Sequence, residues 1–235
     1  MKLLKYKTAN ETASALIERL LDLMSMDEKK KFHIAFSGGS TPALMFDMWA
    51  NEYKDDTDWS RLYVYWVDER CVPPEDSDSN YGLMKKLLLD QVPISENQIF
   101  RMRGEDDPAQ EAKRYTAITL EQMSEVNGFP KFDVVLLGAG DDGHTSSIFP
   151  GQEELLTSQE PFVACHNPYN GQERIAMTGH TIINADLVVF LITGENKADV
   201  VADIYSSGDT GPAAYVAHHA SLVEIFIDDL AGNKL

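Results

Sequence analysis

The segment Gly138-Ala139-Gly140-Asp141-Asp142-Gly143-His144-Thr145-Ser146 brings together residue types that can move a proton beside a bound ligand. An imidazole titrates near neutral pH, and the glycines let a ligand approach main-chain N–H groups. The apolar run Phe132-Asp133-Val134-Val135-Leu136-Leu137 precedes it directly, so His144 is delivered at a strand end beside the carboxylates of Asp141 and Asp142. The same residues also suit a glycine-rich turn in which Asp141 and Asp142 cap a helix.

Three other loops carry groups that fit an anionic ligand. Ser37-Gly38-Gly39-Ser40-Thr41-Pro42 follows Phe32-His33-Ile34-Ala35-Phe36 and opens a helix. Its hydroxyls, glycines and helix N-terminal N–H groups suit a phosphate, although a Gly-Gly turn with Thr41 as N-cap would read the same way. No Gly-Lys-Ser/Thr follows, which argues against a nucleoside triphosphate. Asp68-Glu69-Arg70 ends the run Leu62 to Val67; three charges there must meet water, a ligand or one another, as a pocket wall or as a solvated Asp–Arg turn. Thr193-Gly194-Glu195-Asn196-Lys197-Ala198 places Lys197 at a helix start, where a cation is favourable when an anion shares the site. Arg174 begins another run and suits bidentate contact with phosphate oxygens.

Some signals are set aside. Asp76-Ser77-Asp78-Ser79-Asn80 resembles the start of a calcium loop, but Tyr81 stands where glycine is needed and Leu87 where the closing glutamate belongs. His218-His219 is not read as a metal site, since adjacent histidines on regular structure point apart. Cys71 and Cys165, lacking metal-ligand spacing, read as free thiols.

The elements that must position these loops alternate. Strands are expected at 32–36, 62–67, 132–137, 174–178, 187–192 and 222–227, mostly near-continuous apolar runs suited to parallel strands buried on both faces. Between them, Ala13, Leu16, Ile17, Leu20, Leu21 and Met24 have helical spacing, and further helices are expected at 43–50, 81–89, 108–125 and 198–205. The expected architecture is α/β: one domain over 1–235, a three-layer α/β/α sandwich with a mostly parallel sheet. In such a fold ligands bind beyond the carboxyl ends of the strands, where every loop named above falls.

The composition, 43% hydrophobic and 25% charged, is that of a soluble globular chain. A formal net charge of −18 argues against nucleic acid or an anionic membrane surface as partner, and requires that any anionic substrate meet locally focused cations. The polar Thr8-Ala9-Asn10-Glu11 soon after the start leaves no signal-peptide apolar region, so the cytoplasm is the expected location.

From about Phe32 to Asp228 the chain resembles the 6-phosphogluconolactonases. The resemblance rests on Phe36 to Pro42, Trp66 to Arg70 with Val72-Pro73, Ser79-Asn80-Tyr81, Gly138 to Gly151, Arg174 to Thr178 and Phe190 to Ala198, in that order. It implies a Rossmann-like fold and hydrolysis of 6-phospho-D-glucono-1,5-lactone without metal or organic cofactor, by a monomer or a homodimer. It further implies that His144 is the general base and that Asp142 or Asp68 orients it. Backbone N–H groups with Arg70 would stabilise the oxyanion, and Ser37, Gly38, Gly39, Ser40, Thr41, Arg174 and Lys197 would hold the phosphate. The related glucosamine-6-phosphate deaminases share the Gly-Gly loop and Asp-Gly-His, but carry a glutamate where this chain has Phe149. A sugar-phosphate-binding module without turnover is the non-enzymatic alternative. Asp141 stands where the lactonases commonly have proline, and Ala176 where threonine is common.

Overall fold

A computed structural model describes residues 1–27, 30–206 and 208–235. In chain order the elements are β1 (Lys2–Tyr6), α1 (Ala9–Ser25), β2 (Phe32–Phe36), α2 (Ser40–Glu52), β3 (Leu62–Trp66), β4 (Asp68–Arg70), α3 (Asn80–Met84), α4 (Pro108–Gln122), β5 (Glu125–Val126) and β6 (Phe129–Pro130). Then come β7 (Val134–Leu137), β8 (Phe162–His166), β9 (Glu173–Met177), α5 (Gly179–Ile183), β10 (Leu187–Ile192), α6 (Ala198–Tyr205), α7 (Pro212–His219) and β11 (Val223–Asp228).

The main sheet has six strands in the order β1-β11-β10-β7-β2-β3, every neighbouring pair parallel. Strands β2, β7, β10 and β11 are buried along their whole length; β7 and β10 are wholly apolar, as burial on both faces favours, whereas His33 of β2 and Glu224 and Asp228 of β11 are buried with polar partners. Helix α1 packs its Leu16, Ile17, Leu20 and Met24 face inward, with Thr8 capping its start by accepting from the Glu11 N–H. Helices α1 and α2 pack together, α1 also against β11 and α2 also against β10, while α6 packs on α7. Strand β2 crosses over to β3 on one side, and its neighbour β7 crosses over to β10 on the other. The strand order therefore reverses between β2 and β7, and a ligand crevice is expected beyond their carboxyl ends.

The run at 174–178 departs from the parallel expectation. It is β9, antiparallel to both β4 and β8 in a separate three-stranded sheet. The chain changes sheets at Val67, whose N–H donates to Phe36 O and whose carbonyl accepts from Met177 N–H. A short apolar run does not encode which neighbour it meets, so its sequence could not separate the two pairings. Edge strand β1 escapes the apolar-run reading because Lys2 and Lys5 flank only Leu3-Leu4, a composition common on strands with one free edge. Helix α2 starts earlier than expected, at Ser40; the 81–89 helix divides into α3 and a π-helical turn, Lys85–Leu89; α4 stops at Gln122, and Glu125 opens the β5–β6 hairpin. Among the described residues no helix is long and apolar enough to cross a membrane.

Candidate active site

The loops after β2, β7 and β10 line one cleft of about 240 Å³ at the strand-order reversal, joined by Asp68, Arg70, Asn80 and Arg174 from the small-sheet side. Of the residues singled out from the sequence, Ser37, Gly38, Gly39, Ser40, Thr41, Asp68, Arg70, His144, Arg174 and Lys197 line it; Asp142 stands just behind His144.

The His144 loop is shaped by its own short hydrogen bonds. Gly140 N–H donates to His144 O at 2.8 Å, Gly143 N–H to Gly140 O at 3.0 Å, and Thr145 Oγ1 to Gly138 O at 2.8 Å. The next helical turn, Glu153–Leu156, starts well past the loop with Gln152 at its N-cap, so Asp141 and Asp142 cap no helix. Instead Asp142 Oδ1 accepts from His144 N–H at 3.1 Å and lies 2.6 Å from His144 Nδ1. A Cβ on Gly140 would fall 2.1 Å from that ring nitrogen and 2.6 Å from Asp142 Oδ1, so only glycine leaves room for the pair. A carboxylate can only accept, which makes Nδ1 the protonated nitrogen of a neutral ring and leaves Nε2 with its lone pair. Burial pushes the Asp142 carboxyl up, but hydrogen bonds from Tyr169 and the His144 N–H outweigh it and hold the group below its ordinary value.

Asp68 has different company. It is buried, accepts from Ser147 Oγ at 2.6 Å, and lies 3.6 Å from Arg174 Nη1. Arg174 is also buried; Nη2 donates to Gln172 Oε1 at 3.0 Å, and Nε has no partner among the described residues. Burial, set against the attraction of Asp68, pulls its pKa below the ordinary arginine value. A buried guanidinium with spare donors is primed for an anionic oxygen. Across the cleft, Lys197 Nζ donates to Ala139 O at 2.8 Å and pairs with Asp141 at 2.6 Å, and this pairing holds Asp141 below the usual carboxylate range.

The 37–41 loop presents main-chain donors. Its N-cap is Gly39, not Thr41, and no side chain caps α2. Thr41 Oγ1 instead lies 3.2 Å from Thr193 Oγ1, tying this loop to the one after β10. A Cβ on Gly38 would stand 1.9 Å from Asn80 Oδ1, so the backbone passes directly under that side chain. Asn80 lines the cleft and donates to Asp68 O at 2.9 Å, and it is placed by Glu69. Glu69 accepts from the N–H groups of Arg70, Asn80 and Tyr81, each at 2.8 Å, and from Ser79 Oγ at 3.0 Å; burial nonetheless raises its pKa. Arg70 donates to Asp78 O at 2.5 Å, and its Nε has no partner among the described residues. Asn80, Ser147 and Tyr169 are site residues that the sequence reading did not single out. Asn80 and Ser147 lie within or beside recognised motifs, whereas nothing local marks Tyr169.

Other candidates leave the chemistry. Burial pushes the thiols of Cys71 to about 11 and Cys165 to about 12, so neither is a ready nucleophile. His218 and His219 do not point apart. Both approach Asp209, at 2.9 and 3.9 Å, because one reaches it through Nδ1 and the other through Nε2. Among the described residues no group of three or more His, Cys, Asp or Glu side chains is arranged to hold a metal.

A sheet that reverses order at a cleft lined by a histidine, three buried or partly buried cations and a helix start without a side-chain cap presents the groups an anionic ligand requires. The family model described as glucosamine-6-phosphate isomerases/6-phosphogluconolactonase matches residues 5–224, and the chain belongs to this family. A 6-phosphogluconolactonase of Treponema pallidum is 41% identical over 187 residues, 80% of this chain and 76% of the relative. One of Haemophilus influenzae is 35% identical over 235 residues, covering 98% of each. The crystal structure of the devB protein superposes with a TM-score of 0.94 at 34% identity, covering 100% of this chain and 99% of that one. The match begins well before Phe32, so the resemblance reaches further toward the N-terminus than the motifs alone indicate.

Proposed function

We propose that this chain hydrolyses the ester of 6-phospho-D-glucono-1,5-lactone to 6-phospho-D-gluconate, the second step of the oxidative pentose phosphate pathway, with His144 as general base. The observation that carries the reading is the pairing of His144 Nδ1 with Asp142 at 2.6 Å, which leaves Nε2 as proton acceptor in a cleft also bordered by Arg174 and Lys197.

The lactone phosphate would sit against the Ser37–Thr41 main chain between Arg174 and Lys197, placing C1 near His144. Water loses a proton to Nε2 as its oxygen bonds to C1; the carbonyl electrons move onto oxygen, where glycine-loop N–H groups and Arg70 stabilise the oxyanion. The electrons then return, the bond from C1 to the ring oxygen breaks, and the imidazolium gives its proton to that oxygen. The new carboxylic acid ionises to solvent. Asp142 is the orienting carboxylate in this reading, because Asp68 is engaged with Ser147 and Arg174. No protein nucleophile is used. Phe149, whose ring lies 4.5 Å from that of His144, stands where the deaminase alternative needs a carboxylate. The proposed setting is the cytoplasm.

Lactone generated in situ, with acid release followed against the spontaneous rate, tests this directly. Acceleration by the wild type that His144→Ala loses supports the assignment. Saturable binding of 6-phosphogluconate without acceleration would replace it with the binding-module reading, and ammonia release from glucosamine 6-phosphate with the deaminase reading.

A further inference from the structure

We propose that Tyr169 is a positioning residue for the Asp142–His144 pair, held over it by the turn between β8 and β9. The inference rests on the assignment of His144 as general base. The turn is closed on itself: Asn167 N–H donates to Gln172 O at 2.9 Å, Gly171 N–H to Asn167 O at 2.8 Å, and Tyr169 N–H to Asn167 Oδ1 at 2.9 Å. It is also braced toward the far wall of the cleft, where Gln172 donates to Asp78 Oδ2 at 3.1 Å and accepts from Arg174 at 3.0 Å.

From this turn the Tyr169 hydroxyl donates to Asp142 Oδ2 at 2.6 Å, while Oδ1 of the same carboxylate lies 2.6 Å from His144 Nδ1. The Tyr169 ring stands edge-on to Phe149 at 5.9 Å, and Phe149 in turn lies against His144. Tyr169 is 67% exposed, so burial explains little of its placement and the hydroxyl contact is its principal engagement. An aspartate carboxylate rotates readily about its terminal torsion when only one oxygen is held. A donor on the other oxygen fixes its plane with a short charge-assisted bond, which keeps the Nδ1–H aligned and Nε2 directed at the reacting water.

The test compares wild type, Tyr169→Phe, Asp142→Asn and the double variant for kcat and KM with in situ lactone, together with the 15N signals of the His144 ring. Tyr169→Phe keeps the ring and removes one hydrogen bond, so kcat is expected to fall about 3–10-fold with KM within about twofold. In the Asp142→Asn background the substitution should add no loss, since the two act through one contact. The ring signals should move from the Nδ1–H tautomer toward a mixture. An unchanged kcat for Tyr169→Phe, or an equal loss in the Asp142→Asn background, overturns the proposal. Should wild type not hydrolyse the lactone, the hydrolase assignment fails by itself and the ring signals decide the positioning role: a changed tautomer balance upholds it, identical signals overturn it.

Discussion

His33 and His144 sit at opposite ends of the same parallel sheet, and their surroundings differ in kind. His33 lies near the start of β2, 7% exposed, with Nδ1 3.1 Å from the Tyr65 hydroxyl and the rings of Tyr63 and Tyr65 beside it. Its side-chain partner is a neutral hydroxyl, and burial, opposed by Asp133, lowers its pKa. His144 stands on a loop beyond the other end, its side chain 32% exposed, with a carboxylate on one nitrogen and the cleft before the other. Enclosure suppresses the charged form at His33. At His144 the carboxylate gives a transient imidazolium a partner, and the open side admits the reactant. The lesson is that an imidazole becomes a candidate base through a carboxylate and an opening, both of which the carboxyl-end loops supply.

The sharpest way to break this contrast is to delete each ring. His144→Ala should lower kcat by ~10²–10⁴-fold, the usual contribution of a general base, with little change in the urea midpoint. His33→Leu should leave kcat near wild type and shift the midpoint instead; a large kcat loss there would erase the distinction. Next in size, Lys197→Ala and Arg174→Ala should each raise KM by about 10–100-fold, the worth of charge-assisted hydrogen bonds, with smaller changes in kcat. Arg174→Ala should in addition destabilise the fold, because Asp68 stays buried without its cation.

The two histidines also differ in pH dependence. Since the folded pKa of His33 lies below its ordinary 6.5, the unfolded chain binds the extra proton first as pH falls. The stabilisation from keeping His33 neutral is complete above pH 6.5, is lost as pH drops through that value, and levels off below the folded pKa. Urea midpoints measured across this range should fall with acid, more steeply for wild type than for His33→Leu; parallel curves would remove His33 as the cause. The smallest effect concerns Asp141, which occupies Lys197 in the free protein. Asp141→Asn should lower KM by about 2–5-fold, the scale of an exposed ion pair. An unchanged or higher KM would show that the pair does not compete with the phosphate.

Much of the fold was legible because burial on both faces favours near-continuous apolar runs, and β2, β3, β7, β10 and β11 all carry them, interrupted only by His33 in β2 and by Glu224 and Asp228 in β11. The loops of the site were legible because glycine, hydroxyl and charged residues directly follow those runs. Strand β1, with two leucines between lysines, and β4, made of Asp68-Glu69-Arg70, were not, since neither has the composition of a strand when read alone. Both form through partners supplied from far along the chain, β11 and β9.

The sequence by itself determined the parallel α/β framework and the kinds of chemistry at its carboxyl end, because periodicity and strand-end residues are local properties. Tertiary structure decided the pairings. It set Asp142 rather than Asp68 beside His144, joined Asp68 to Ser147 79 positions away, and carried Tyr169 27 positions back to Asp142. Such contacts depend on where two loops meet after the strands have packed, and no local pattern records that meeting.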